Sequence, residues 1–234
     1  MKKRLNKFLL KHKLKTVAEL PGAKLDVSNP TISDNIRGYI ARGKYEAEER
    51  ELIFATLTPQ DTVLEIGAGM GYVSCVCAGI LKDKDRLYSY EANPKLIEII
   101  EHNRKINGVD FHVRNALLGA FDGKADFYIP DDFWGASLSP IADAQRVEIE
   151  VHNIKKAMDE IQPTYLIMDI EGAEVNVLPS MDLSSVQTIC LEVHPFNTGM
   201  EAVRKMFSYL LNEGFMFEMN KFDLVYLFKR TATT

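Results

Sequence analysis

Cysteine is scarce in this chain. The 234 residues hold three, Cys75, Cys77 and Cys190, an odd number with the first two on an apolar segment, which argues for buried free thiols rather than a disulfide framework or a thiolate metal site. Long apolar runs are missing too. The longest, from Val73 to Leu81, is broken by Ser74 and Gly79 and falls short of the ~18 residues that cross a bilayer. The first residues lack the apolar core and small-residue cleavage site of a secretion signal, so a cytoplasmic location is expected. There is no cationic excess: 28 Lys and Arg against 33 Asp and Glu leave a net charge of −5, unlike a general binder of nucleic acid, whose affinity comes from clustered basic residues. The one basic concentration is Lys2, Lys3, Arg4, Lys7, Lys11, Lys13 and Lys15, interleaved with Leu5, Phe8, Leu9 and Leu14. It reads as a solvated helix packed on the domain, or alternatively as a peripheral contact with an anionic surface.

What is present is an alternation of short strand and helix patterns, the mark of a mostly parallel sheet covered by helices. Residues 1–58 read as a basic and helical extension. In it Leu20-Pro21-Gly22 and Ser28-Asn29-Pro30 punctuate a linker, a helix starts near Ser33 and breaks at Gly43, and a second runs from Tyr45 to Leu57 with Glu46, Glu48, Glu49, Arg50 and Glu51 on a solvated face. The main domain, 59–234, opens with a strand at Val63. Further strands are predicted over 86–91, 111–118, 164–170 and 188–193, helices over 94–106 and 201–213, and a closing hairpin from 215–219 and 224–229. An insertion near 122–152 contributes strands over 125–129 and 146–151, with Trp134 in the loop between them.

The stretch Val63 to Ser74, Val-Leu-Glu-Ile-Gly-Ala-Gly-Met-Gly-Tyr-Val-Ser, is a strand, a glycine loop and a helix start. Glycines there let a ligand approach the backbone, and the first helix amides are free to receive a carboxylate or phosphate. A dinucleotide loop would carry a third glycine where Tyr72 stands. The pattern is instead E-x-G-x-G-x-G, with Glu65 leading Gly67 and Gly69, and Glu91 follows at the end of the second strand, where a carboxylate can accept both hydrogen bonds of a ribose diol.

Leu64 to Gly71 resembles the glycine loop of the class I S-adenosylmethionine methyltransferases. Tyr90-Glu91-Ala92-Asn93-Pro94, Met168-Asp169-Ile170-Glu171-Gly172-Ala173-Glu174 and Leu191-Glu192-Val193-His194-Pro195 are similar, in order, to the successive motifs of the FkbM family, and Gly43-Lys44-Tyr45-Glu46 is similar to the segment that precedes them. The likeness covers Gly43 to Pro195. It implies a Rossmann-like class I methyltransferase fold: a mostly parallel seven-stranded sheet with a C-terminal antiparallel hairpin and helices on both faces. It also implies S-adenosyl-L-methionine as cofactor. Gly67, Ala68, Gly69 and the amides near Tyr72 would face its methionine part, Glu91 with neighbouring Ala92 its ribose, and Asn115 and Ala116 its adenine. Glu65 and Asp169 complete the expected cofactor site.

Methyl transfer to an alcohol needs a base, or a metal that lowers the hydroxyl pKa. Residues two apart on a strand share a face, pairing Asp169 with Glu171 and Glu192 with His194, and adjacent strands would gather them at the carboxyl edge of the sheet. In one mechanism His194 or Asp169 takes the proton while the remaining carboxylates orient the acceptor. In the other Asp169, Glu192 and His194 ligate Mg²⁺ or Mn²⁺. Glu174 reads as a residue flanking the following helix. No N-P-P-Y motif of nitrogen methylation follows the fourth strand, so the resemblance implies O-methylation of a sugar, glycolipid or natural-product hydroxyl. A nicotinamide-dependent oxidoreductase, disfavoured by Tyr72 and by the lack of a Tyr-x-x-x-Lys pair, and a non-catalytic cofactor-binding module are the alternatives.

Overall fold

The computed structural model describes residues 16–131, 133–221 and 224–231. The basic segment expected as a helix within residues 1–15 lies outside them.

The described residues begin with a hairpin, β1 (Val17–Leu20) and β2 (Ala23–Asp26), where the sequence suggests a linker. Pro21 and Gly22 form its two-residue turn, with Leu20 paired to Ala23 and Gly22 at φ +88°, the conformation that a Pro-Gly turn supplies. Helices α1 (Asp34–Arg42) and α2 (Ala47–Thr56) follow. Ser33 caps α1 by accepting a hydrogen bond from the Ile36 amide, and Gly43 ends it in the left-handed region, as the sequence predicts.

Strand β3 (Val63–Ile66) then leads through the glycine loop into α3 (Tyr72–Leu81). After β4 (Leu87–Tyr90), helix α4 (Pro94–Asn107) starts on an Asn93 cap and stops at Gly108. The predicted third strand divides. Its first part, β5 (His112–Arg114), joins the main sheet, whereas β6 (Leu117–Gly119) turns away to pair with β8 (Gln145–Asn153), itself antiparallel to β7 (Gly123–Ile129). The break falls at Asn115, whose amide nitrogen donates to the carbonyls of Glu91 and Ala92. A side chain clasping the neighbouring strand end in this way replaces the next backbone rung. Helix α5 (Ile154–Ile161), β9 (Tyr165–Met168), the single turn α6 (Glu174–Val177), β10 (Thr188–Glu192), the turn α7 (Pro195–Thr198), α8 (Met200–Asn212), β11 (Phe215–Lys221) and β12 (Val225–Arg230) complete the order.

The main sheet runs β11-β12-β10-β9-β3-β4-β5. All neighbours pair in parallel except β12, which is antiparallel to both β10 and β11. This is the seven-stranded Rossmann-like fold with a closing antiparallel hairpin. Strand β3 alternates its side chains between two apolar layers: Val63 packs with Ile36, Leu52, Ile53, Val76 and Ile100, while Leu64 and Ile66 pack with Ile154, Met158, Met206 and Leu210. Burial on both faces explains why β3 and β9 read as unbroken apolar strands. No helix among the described residues is long and apolar enough to cross a membrane.

The order of connection reverses between β3 and β9, and an open α/β sheet binds its ligand in the crevice at such a point. Here the two strands approach closely. The Asp169 amide donates to the Ile66 carbonyl, and a Cβ placed on Gly67, at φ +91°, would lie 1.8 Å from the Asp169 carbonyl oxygen. Gly67→Ala therefore costs about 3 kcal/mol or more, at the upper end of single substitutions. Chemical denaturation measures it, and an unchanged midpoint would show that the junction relaxes without cost.

Candidate functional site

Two groups of side chains meet at this switch point. The first surrounds the glycine loop. Glu91, immediately after β4, accepts hydrogen bonds from the Gly69 amide at 2.8 Å and the Asn93 amide at 2.7 Å. It is buried, which pushes its pKa up to about 7 against the lowering effect of those two amides. Ala68 is buried and its amide donates to the Tyr90 carbonyl. Ala92 follows Glu91 with its carbonyl held by Asn115, and Ala116 is buried just beyond. Glu65 points into the protein, where it accepts from the Ser74 and Ser89 hydroxyls, and burial raises it to about 7. Its direct role in the loop is thus to tie β3 to β4 and α3. The Tyr72 ring is also buried, its hydroxyl donating to the Pro21 carbonyl and accepting from Arg50, so only its backbone faces the loop.

The second group gathers at the ends of β9 and β10. Asp169 follows β9 directly. The next residues do not continue the strand: Glu171 has φ +55° and Gly172 φ +104°, so a tight reversal, and not strand alternation, returns Glu171 to the side of Asp169. Glu174 holds that reversal, its Oε1 accepting from the amides of Ile170 at 3.0 Å and Gly172 at 3.1 Å. The same oxygen accepts from His194 Nδ1 at 3.1 Å. This directs His194 Nε2 toward Glu171 at 3.4 Å, Asp169 at 3.7 Å and Glu192 at 3.9 Å. All four residues expected at the catalytic edge are therefore together, and Glu174 is a fifth member.

Glu49 is the sixth. The charge run of α2 reads from sequence as a solvated face, yet Glu49 and Arg50 are buried, at 5% and 7% exposure. Glu49 is close enough to Glu192 to act on it: burial first, and then the negative fields of Asp169 and Glu49, raise the Glu192 carboxyl to about 11, so it is held protonated. The pKa values of Glu49, Asp169, Glu171 and Glu192 are all raised by burial first, and for Glu171 and Glu192 next by the charge of Asp169, with Glu171 at about 7; His194 opposes the rise at Asp169. His194 moves oppositely to what its burial alone would do: the Glu174 hydrogen bond and the fields of Asp169 and Glu171 raise it to about 9, so it is a cation at neutral pH.

Tyr45 and Glu46 close the loop from the other side. The Tyr45 hydroxyl accepts from the Met70 amide at 3.4 Å, and Trp134 from the insertion stacks on the Tyr45 ring at 6.1 Å and meets Tyr39 edge-on at 5.1 Å. The Gly-Lys-Tyr-Glu segment carried the signal for these two residues, through its position in the motif order. Glu49 and Glu174 gave none, since helical acidic residues are ordinarily solvated.

These shifts set how stability depends on pH. His194 stabilises the fold fully below its unfolded pKa of ~6.5, and that contribution is lost as pH rises through about 9. Glu65, Glu91 and Glu171, raised to about 7, bind more protons folded than unfolded between ~4.5 and 7, so they too lower stability as pH rises. The melting temperature should be higher near pH 5 than near pH 9; a rise across that window would contradict the cluster as described.

Residues 65–217, more than half of the chain, match the family described as Methyltransferase FkbM domain. No curated protein matches the chain in sequence. Among solved structures, the chain is similar to a methyltransferase FkbM from Methylobacillus flagellatus KT, with TM-score 0.50 and 13% identity over 97% of this chain and 59% of that one. It is also similar to Trm5 of Methanocaldococcus jannaschii in complex with adenosine, with TM-score 0.51 and 15% identity over 93% of this chain and 55% of that one. The chain thus spans a little over half the length of either protein, and at these identities the likeness is one of fold.

Proposed function

The chain belongs to the FkbM methyltransferase family; on that premise we propose that it is a methyltransferase acting on a hydroxyl oxygen of a sugar, glycolipid or related natural product. The observation that carries this reading is the acid-lined edge formed by Asp169, Glu171, Glu192 and His194, whose first member touches the glycine loop at Gly67.

The family implies S-adenosylmethionine, and the loop fits it. Gly67 leaves no room for a side chain, and Glu91 is buried with both oxygens turned to backbone amides that a ribose diol would exchange for its own hydroxyls. The free first amides of α3 suit a carboxylate. Asn115, whose side chain donates to the Glu91 carbonyl, and Ala116 stand where the adenine would lie. When bound, the cofactor supplies a methyl group on a sulfonium, open to in-line displacement. The chain must then position the acceptor and take its proton. His194, already protonated, is a poor base and a good orienting charge, so the proton passes to Asp169 or Glu171, which burial holds near neutrality. Glu192, raised to about 11, stays protonated beside them. Trp134, stacked on Tyr45, belongs to the insertion that would meet the acceptor, and substrate choice commonly resides in such loops.

One observation favours a second reading of the same edge. Asp169, Glu174 and His194 offer ligand atoms within 4.8 Å of one another, and Asp169 Oδ1 and Glu174 Oε2 are buried without hydrogen-bond partners. That set, with Glu174 in place of the Glu192 expected from sequence, would hold Mg²⁺ or Mn²⁺, which binds and acidifies an acceptor hydroxyl. Excess carboxylate around one imidazole suits a divalent cation as well as it suits a shared proton.

Calorimetry should show binding of S-adenosylmethionine and S-adenosylhomocysteine and none of NAD; the reverse pattern would sink the methyltransferase reading. In a methyl-transfer screen of glycans and nucleotide sugars, Asp169→Asn should lower kcat about 10²- to 10⁴-fold if Asp169 is the base. Activity unchanged by EDTA would remove the metal reading, and activity abolished by EDTA and restored by Mn²⁺ would select it.

A further inference from the structure

Glu46 places a carboxylate with no counter-charge beside it against the cofactor loop. It precedes α2 in the left-handed region, at φ 44°, a conformation that favours glycine or asparagine over glutamate. Its Oε1 lies 3.2 Å, and the Tyr45 hydroxyl 3.1 Å, from where a Cβ on Gly69 would sit. Its Oε2 is buried and has no hydrogen-bond partner, and Glu46 forms no ion pair among the described residues. The neighbouring charges are of the same sign, Glu49, Asp169 and Glu65, and burial with these neighbours raises its pKa well above the usual carboxylate range. The nearest arginine on α2, Arg50, is turned to Tyr72 and Glu51. A buried carboxylate of this kind is costly unless it meets a proton or a cation.

Gly69 therefore sits between two carboxylates: Glu91 on its amide and Glu46 against its α-carbon. The first suits the ribose. The methionine tail of the cofactor carries one group that a second carboxylate can bind by charge-assisted hydrogen bonds, the α-ammonium; its carboxylate would be repelled and its sulfonium has no hydrogen to donate. We propose that Glu46 binds the α-ammonium of S-adenosylmethionine, with the Tyr45 hydroxyl, itself fixed by the Met70 amide, holding the carboxylate over Gly69. The inference rests on the loop being the cofactor site. It gives Gly-Lys-Tyr-Glu a chemical role, in which the segment ahead of the first sheet strand reads the amino-acid end of the cofactor while Glu91 reads its sugar.

The test compares wild type with Glu46→Gln and Glu46→Asn, the latter suited to the left-handed backbone, with folding checked by thermal melting. Calorimetry is run with S-adenosylmethionine, S-adenosylhomocysteine and 5′-methylthioadenosine, which lacks the amino-acid end. Both variants should lose about tenfold or more in affinity for the first two ligands, as expected for a charge-assisted hydrogen bond, and keep that for 5′-methylthioadenosine within about twofold. Unchanged binding of S-adenosylhomocysteine would overturn the assignment, as would a loss confined to S-adenosylmethionine, which would point to the sulfonium. Equal losses for all three ligands would make Glu46 a structural residue and overturn it as well. If wild type binds none of them, the cofactor site itself is wrong, and Glu46 with it.

Discussion

The α-carbon of Gly67 rests against the carbonyl of Asp169, so close that a single methyl group would lie 1.8 Å from that oxygen. The candidate site is arranged about that contact. On one side is the glycine loop, shaped by Gly67, Gly69 and Gly71, all at positive φ. On the other is the reversal from Asp169 to Glu174, which turns strand β9 into an acid-lined edge. The parallel pairing of β3 with β9 brings the two together, and the apolar layers on both faces of the sheet hold the pairing.

The site built on this contact is strongly unbalanced in charge. Asp169, Glu171, Glu174 and Glu192 surround one imidazole, buried Glu49 adds its charge to Asp169 and Glu192, and Glu46 lies against the adjoining loop. In a buried setting such charges cannot all be ionised without help. Protons are one answer, as at Glu192, raised to about 11; cations are the other. The proposed cofactor would bring two positive groups, the sulfonium and the α-ammonium, to such a site. The crowding of carboxylates would thus match what that cofactor carries, and Glu174, by holding the ring of His194, directs it toward Asp169, Glu171 and Glu192.

Much of this was legible in the sequence for a physical reason: strands buried on both faces are apolar throughout, caps and stops are chemically distinctive, and Glu91, Asp169, Glu192 and His194 interrupt apolar strands at their ends, where charge demands an explanation. What escaped reading was tertiary. Pro21-Gly22 suits a linker and a hairpin turn equally, and only pairing with β2 decides between them. Asn115 diverts the third strand through hydrogen bonds to residues more than twenty positions away. Glu49 looks like any solvated helical glutamate until α2 is laid over β10. Glu171 reaches the cluster through a left-handed turn that the pattern of a strand conceals.

The central claim is that one crevice, between β3 and β9, holds the cofactor with its transferable methyl group beside Asp169 and His194. A crystal structure of the complex with S-adenosylhomocysteine tests it most directly. The account predicts the ribose on Glu91, the carboxylate at the first amides of α3, and the sulfur directed toward the Asp169–His194 edge. Density for the ligand elsewhere, or in this crevice with its sulfur turned away from that edge, would contradict it.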